Sequence, residues 1–109
     1  MSDDDYFSQE NINKRHMEWI TPKAPFDWRI NTRQMMEMSN GVAWVADLID
    51  PSGTVVGQVE QKGNGGMDEV IPDSVEHYKA FKAAVEASYG KFDQEAATGY
   101  MMWLEDQEA

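Results

Sequence analysis

The side chains able to do chemistry are few in kind. The chain has two His, His16 and His77, and no Cys, which removes disulfides, thiol nucleophiles and Cys-ligated zinc. Metal binding by the imidazoles would need carboxylates converging on them. Neither His-x-x-x-His nor Asp-x-Asp-x-Asp-Gly occurs, so both read as surface polar residues. The run Gly63-Asn64-Gly65-Gly66 is the one place where backbone amides could cradle a phosphate. It lacks the Gly-Lys-Ser/Thr of a P-loop and the spacing of the dinucleotide fingerprint, and Asp68-Glu69 close by repels anions. A connecting or partner-contact loop is the better reading. Ser52 falls in a turn, Ser88 near a helix end and Thr98 on a helix surface, contexts that explain them without nucleophilic roles. No catalytic constellation, cofactor motif or metal set emerges, and the chain reads as non-enzymatic.

Carboxylates are the abundant group. Twenty acids stand against nine Lys and Arg in 109 residues, a formal charge of −11. General acid–base work needs two carboxylates in unlike environments, and scattered acids do not define such a pair. The charge speaks more directly to partners. It attracts basic surfaces and repels nucleic acid over a long range, so direct nucleic-acid binding and polybasic membrane anchoring are both disfavoured. The only basic island is Lys23 to Arg33, where residues 23–41 sum to +1. The acidic opening Met-Ser-Asp-Asp-Asp is unlike a secretory leader, and no run approaches a membrane span. These features predict a cytoplasmic protein.

Length allows one domain. Val, Ile, Leu and Phe number only 19 of 109, near the floor for a folded charged chain, so Trp, Tyr and eight Met must supply the missing apolar area. Residues 1–22 read as an acidic, partly mobile N-terminal segment holding a marginal helix, with Ile12, His16, Trp19 and Ile20 at helical spacing and Thr21-Pro22 as its stop. Residues 23–109 read as a single α+β domain. Phe26, Trp28, Ile30 and Thr32 alternate as one face of a strand, which Gln34 to Met38 either continues or ends. Ser39-Asn40-Gly41 predicts a tight hairpin. Val42 to Ile49 and Thr54 to Gln61 are the next strands, joined by the Asp50-Pro51-Ser52-Gly53 turn, and Met67 to Ile71 adds a short edge strand. Asp73 or Ser74 caps a helix whose stripe is Val75, Tyr78, Phe81, Val85 and Tyr89, with Asp73 and Glu76 spaced as a capping box and Gly90 as the stop. A second helix runs from Asp93 to Glu105, with Ala96, Ala97, Tyr100, Met101 and Leu104 facing inward. Gly99 weakens its middle by about 1 kcal/mol. The expected fold is an antiparallel meander of three to four strands with two C-terminal helices packed on one face.

Trp28 and Trp44 fall on the inward face of paired strands. The second strand is apolar on both faces: Val42, Trp44, Ala46 and Leu48 on one, Ala43, Val45 and Ile49 on the other. An antiparallel sheet usually leaves one face wet, so the N-terminal segment or a second copy of the chain should cover the other. Met35-Met36-Glu37-Met38 reads as core filling ahead of an adaptable binding surface. The run Met101-Met102-Trp103-Leu104 cannot all be buried on one helix face, which leaves Met102 or Trp103 exposed or at an interface.

The hairpin Gly41-Val42-Ala43-Trp44-Val45-Ala46-Asp47-Leu48, Gly53-Thr54-Val55-Val56-Gly57, the loop Lys62-Gly63-Asn64-Gly65-Gly66 and the following helix resemble small uncharacterised proteins of phages and other mobile elements. The likeness covers about 50 of the 109 residues and carries over no site. It implies an accessory protein, and small acidic Cys-free proteins of that kind are similar to inhibitors of host machinery, anti-CRISPR and other anti-defence proteins among them. The expected function is therefore an acidic, DNA-mimicking, protein-binding inhibitor that docks on a basic host protein or nucleoprotein complex. Its expected partner-binding acids are Asp68, Glu69, Asp73, Glu76, Glu86, Glu95 and Glu105. The alternatives are an oligomer that sequesters a nucleotide-like ligand on Arg29, Arg33 and the glycine loop, and a virion assembly protein.

Overall fold

The computed structural model describes residues 9–39, 41–64 and 66–108. A helix, α1 (Gln9–Ile20), leads into four strands, β1 (Arg29–Met38), β2 (Gly41–Ile49), β3 (Val55–Lys62) and β4 (Glu69–Pro72). Two helices follow, α2 (Val75–Tyr89) and α3 (Gln94–Glu108). The strands form one antiparallel meander in the order β1-β2-β3-β4. This is the expected α+β architecture. No helix among the described residues is long and apolar enough to cross a membrane.

Period-two alternation sends Trp44, Ala46 and Leu48 of β2 to the helix side. Register places Ile30 opposite Leu48, and Val59 between Ala46 and Val70, on the same side. These residues meet Phe81 and Val85 of α2 and Ala97 and Met101 of α3 in the core. Phe81, fully buried, is its hub, with the rings of Trp28, Phe26 and Phe92 edge-on at 5.3, 6.3 and 6.4 Å. Aromatic area does replace the scarce aliphatics.

Several boundaries differ from the sequence reading for identifiable reasons. The ladder begins at Arg29 rather than Phe26, because its partner Ile49 is the last residue of β2 before the Asp50 turn; the carbonyls of Phe26 and Trp28 accept from Arg29 Nη1, both at 3.0 Å, and both rings still enter the core. Gln34 to Met38 continues β1. Thr32 pairs with Ala46 and Gln34 with Val45, so Arg33 is the extra residue of a bulge. Met38 pairs with Gly41, which makes Gly41 a strand residue; the expected hairpin turn includes Asn40, which lies outside the described residues.

The Asp50 turn forms as expected. Its Oδ1 accepts from Ser52 N, Ser52 Oγ and Thr54 N, and Gly53 N donates to Asp50 O at 2.9 Å. Gly57 lets β4 come close, since a Cβ there would stand 2.5 Å from Ile71 O. On α2 the cap is Ser74, whose Oγ accepts from His77 N. The Asp73–Glu76 box does not form, because the Asp73 N–H it needs is spent on Val56 O at 2.8 Å. Gly90 closes α2 in the left-handed conformation (φ 80°), its N–H bonded to Glu86 O. Phe81, Val85 and Ser88 are the buried side of α2, whereas Val75 is exposed and Tyr78 rests its ring on Phe92.

Asp93 lies just before α3, its Oδ1 accepting from Ala96 N. Thr98, read as a surface residue, is fully buried. The weak sequence signal of α1 understates it, because what holds this helix is tertiary. Ile20 is 1% exposed and its Cγ2 would lie 3.0 Å from a Cβ at Gly99, so glycine in α3 admits the crossing of α1. Tyr89 OH donates to Ile20 O, and Lys23 N to Ser88 O. Burial, then Tyr100 and Asp93, holds the Tyr89 phenol well above its ordinary range.

Candidate functional site

The seven acids expected to bind a partner are placed in three different ways. Two serve the fold. Glu105 reaches from α3 to the sheet edge, its carboxylate accepting from Thr32 N at 2.5 Å and Thr32 Oγ1 at 2.6 Å beside the β1 bulge. Asp68 accepts from Gln61 Nε2 at 2.8 Å and from the buried Thr98 hydroxyl at 3.0 Å. Four others, Glu69, Asp73, Glu76 and Glu86, are exposed on β4, the turn after it and α2. Glu69 faces Lys62 at 3.9 Å and Glu86 faces Lys82 at 3.8 Å, long surface pairs worth little. The seventh, Glu95, lines a groove.

That groove, between α1 and α3, encloses about 460 Å³. His16, Trp19 and Met17 of α1 face Glu95, Met102, Trp103 and Asp106 of α3, with Asp68, Ile20 and Gly99 completing the lining. Both indoles are exposed, Trp19 by 47% and Trp103 by 37%, yet each is held. Trp19 Nε1 donates to Asp93 Oδ2 at 3.0 Å, and Trp103 stacks on Tyr100 at 6.1 Å with 23° between planes. His16 sits edge-on to Trp19 at 5.9 Å. Among the described residues neither Glu95 nor Asp106 has a hydrogen-bond or ion-pair partner for its carboxylate. The sequence flagged Trp103 and Glu95 separately. Both lie on α3; the facing wall of His16, Met17 and Trp19 comes from the packing of α1 against α3, which no local pattern announces.

The elements expected to hold a nucleotide-like ligand are not brought together. Arg29 lies at the end of β1 paired with Ile49, and Arg33 pairs with Asp47 at 2.8 Å. The glycine loop lies beside the other end of the sheet, where a Cβ at Gly63 would press on Met38 and Ala43. Its amides are partly spent: Gly63 N on Gln61 Oε1 and Gly66 N on Asn64 Oδ1, while Gly65 lies outside the described residues. His77 is half-buried rather than solvated, its Nδ1 without a partner among the described residues. No group of three or more His, Asp or Glu suited to a metal ion occurs among the described residues.

The methionine cluster departs from the core reading. Met35, Met36 and Met38 are 64, 55 and 48% exposed. Met35 shares the helix side of the sheet with Trp44 and Glu37 with Val42, but Met35 lines an open groove with Glu105, Asp106 and Glu108 of α3 instead of being covered by the helix, and Val42 is exposed too. On the opposite face Ala43, Val45 and Ile49 are only half-buried. Of the N-terminal segment, one of the two expected covers for that face, the helix α1 packs on α3 instead, and residues 1–8 lie outside the described residues.

Comparison with models of known families, with curated proteins and with solved structures finds no match to this chain.

Proposed function

We propose that the chain is a non-enzymatic acidic binding module that docks on a basic, nucleic-acid-handling surface of a partner protein and blocks nucleic acid there. In the finer form of this reading it is a phage-type inhibitor of a host defence or nucleic-acid-processing complex. The observation that carries the reading is the set of exposed, loosely paired acids on β4 and α2 in a chain of net charge −11. Asp73 and Glu76 are exposed and form no ion pair among the described residues, although Lys79 lies one turn from Glu76 on α2, and Glu69 and Glu86 meet their lysines only at 3.9 and 3.8 Å. Carboxylates so placed act on a basic partner as a phosphate backbone does, by charge at long range. Asp68 and Glu105 leave the binding set, being held by Thr98 and Thr32.

The test is affinity capture of the tagged protein from host lysate at about 50 and about 300 mM NaCl, a range over which exposed charges are progressively screened. The reading expects one dominant basic partner, lost at the higher salt, whose nucleic-acid binding falls as the module is added. A variant carrying Glu69→Gln, Asp73→Asn, Glu76→Gln and Glu86→Gln should lose that partner while keeping its fold. Capture insensitive to both salt and the four substitutions overturns the reading.

A further inference from the structure

Two exposed indoles and two free carboxylates on one groove are more than an acidic surface needs. An exposed Trp is costly to leave in water, and here two on different helices are fixed toward a single cleft, Trp19 by Asp93 and Trp103 by Tyr100. Aromatic faces attract cations through their quadrupole, and an indole does so best. Among the described residues the charged lining is one-sided: Asp68, Glu95 and Asp106 against no Lys or Arg, with His16 the only imidazole. Asp68 is occupied by Gln61 and Thr98, so Glu95 and Asp106 are the carboxylates open to an incoming group; they stand roughly 16 Å apart along α3, and Asp106 is the one beside Trp103, three residues on. A planar cation that stacks on indole while offering a fork of N–H donors to carboxylates is a guanidinium.

We infer that the groove between α1 and α3 is a receptor for an arginine side chain presented by the basic partner, stacked on Trp103 and bonded by Asp106, with Glu95 adding negative charge at the far end of the groove. This rests on the proposed function and adds the contact that gives the diffuse charge a specific foothold. The acids of β4 and α2 steer the partner, and the groove selects a residue on it.

The test is a titration of the full chain, followed by NMR of the Trp indole and backbone N–H signals. The probes are Ac-Gly-Arg-Gly-Arg-Gly-NH2, its citrulline counterpart, which keeps the shape without the charge, and its lysine counterpart. The arginine peptide should shift the Trp19 and Trp103 indole signals saturably, and the citrulline peptide should not. Trp103→Ala should weaken binding by about tenfold, and Asp106→Asn by a similar factor, as expected for a desolvated cation–π and carboxylate contact, while Glu95→Gln, at the far end of the groove, should weaken it less. Trp103 is exposed, and Trp103→Phe, which keeps an aromatic face, should retain most of the binding if truncation disturbs α3. Shifts confined to Glu69, Asp73, Glu76 and Glu86 with both indoles silent would overturn the groove while leaving the acidic module standing. A lysine peptide that shifts the indoles equally well would overturn the guanidinium assignment. Loss of salt-sensitive capture by the four-acid variant, with the groove variants binding normally, would likewise leave the module standing and remove the groove.

Discussion

Single polar residues decide which parts of the acidic surface are free. Thr98 is buried with its hydroxyl on Asp68 Oδ2, so Thr98→Val, nearly the same shape, removes one of two donors to a half-buried carboxylate. Leaving such a group short of a partner costs about 1–2 kcal/mol, and urea unfolding should show it; a surface Thr98 would have given a change within about 0.5 kcal/mol. Asp50 carries the pH counterpart. The Ser52 hydroxyl, then the Thr54 and Ser52 amides, pull its carboxyl below the ordinary 3.8. The folded pKa is depressed, so its contribution is present above the unfolded value and disappears as pH falls through the folded one. The Tm difference between the wild-type chain and Asp50→Asn should therefore hold near neutrality and narrow below about pH 4. The Asp50 turn was legible because it is local. Thr98 was not, since its partner lies 30 residues away and a helix position does not say which neighbour covers it.

At the scale of elements, edges are what the pattern left open. β1 is the outer strand of the sheet, and an outer strand presents unpaired backbone groups; Glu105 covers the one at Thr32 from a helix 73 residues further along. Glu105→Gln keeps the shape and removes the charge from two bonds, which should cost about 1–2 kcal/mol and speed hydrogen exchange at the Thr32 amide while leaving partner binding intact. Loss of binding with an unchanged Thr32 amide would return Glu105 to the binding set. Gly57→Ala tests the other edge. Its Cβ would meet the β4 backbone at 2.5 Å, so β4 must move, at about 1–3 kcal/mol, with exchange rising first at Val70 and Ile71. The strands, the hairpins and the two C-terminal helices were readable because alternation, turn residues and caps act over a few positions. The firm seat of α1 was not, because it depends on Gly99 making room for Ile20, and glycine in a helix reads locally as a weakness. The exposed methionines escaped for a similar reason: alternation assigns a side to Met35 and Val42 but not how far the helices extend over it.

For the whole molecule, the same charge acts on folding and on binding with opposite signs. The net −11 remains after every Lys and Arg is counted, and the ion pairs among the described residues, Arg33–Asp47, Lys62–Glu69 and Lys82–Glu86, engage few of the acids, so compaction brings like charges together and works against the folded state. Raising NaCl from about 10 to about 150 mM shortens the screening length from roughly 30 to roughly 8 Å, a span that includes most acid–acid separations across a body of 50 × 35 × 25 Å. Screening should then raise Tm by several degrees, since about 1 kcal/mol corresponds to roughly 4–8 °C for a domain near this size. Over the same range the affinity for a basic partner should fall, because the attraction being screened is the counterpart of that repulsion. The four-acid variant separates the two effects: with charge removed it should begin from a higher Tm, respond less to salt and bind weakly throughout. A Tm that stays flat or falls with salt would mean that the acids are already neutralised within the fold. The surface would then have little free charge to offer a partner, and the binding reading would lose its driving force.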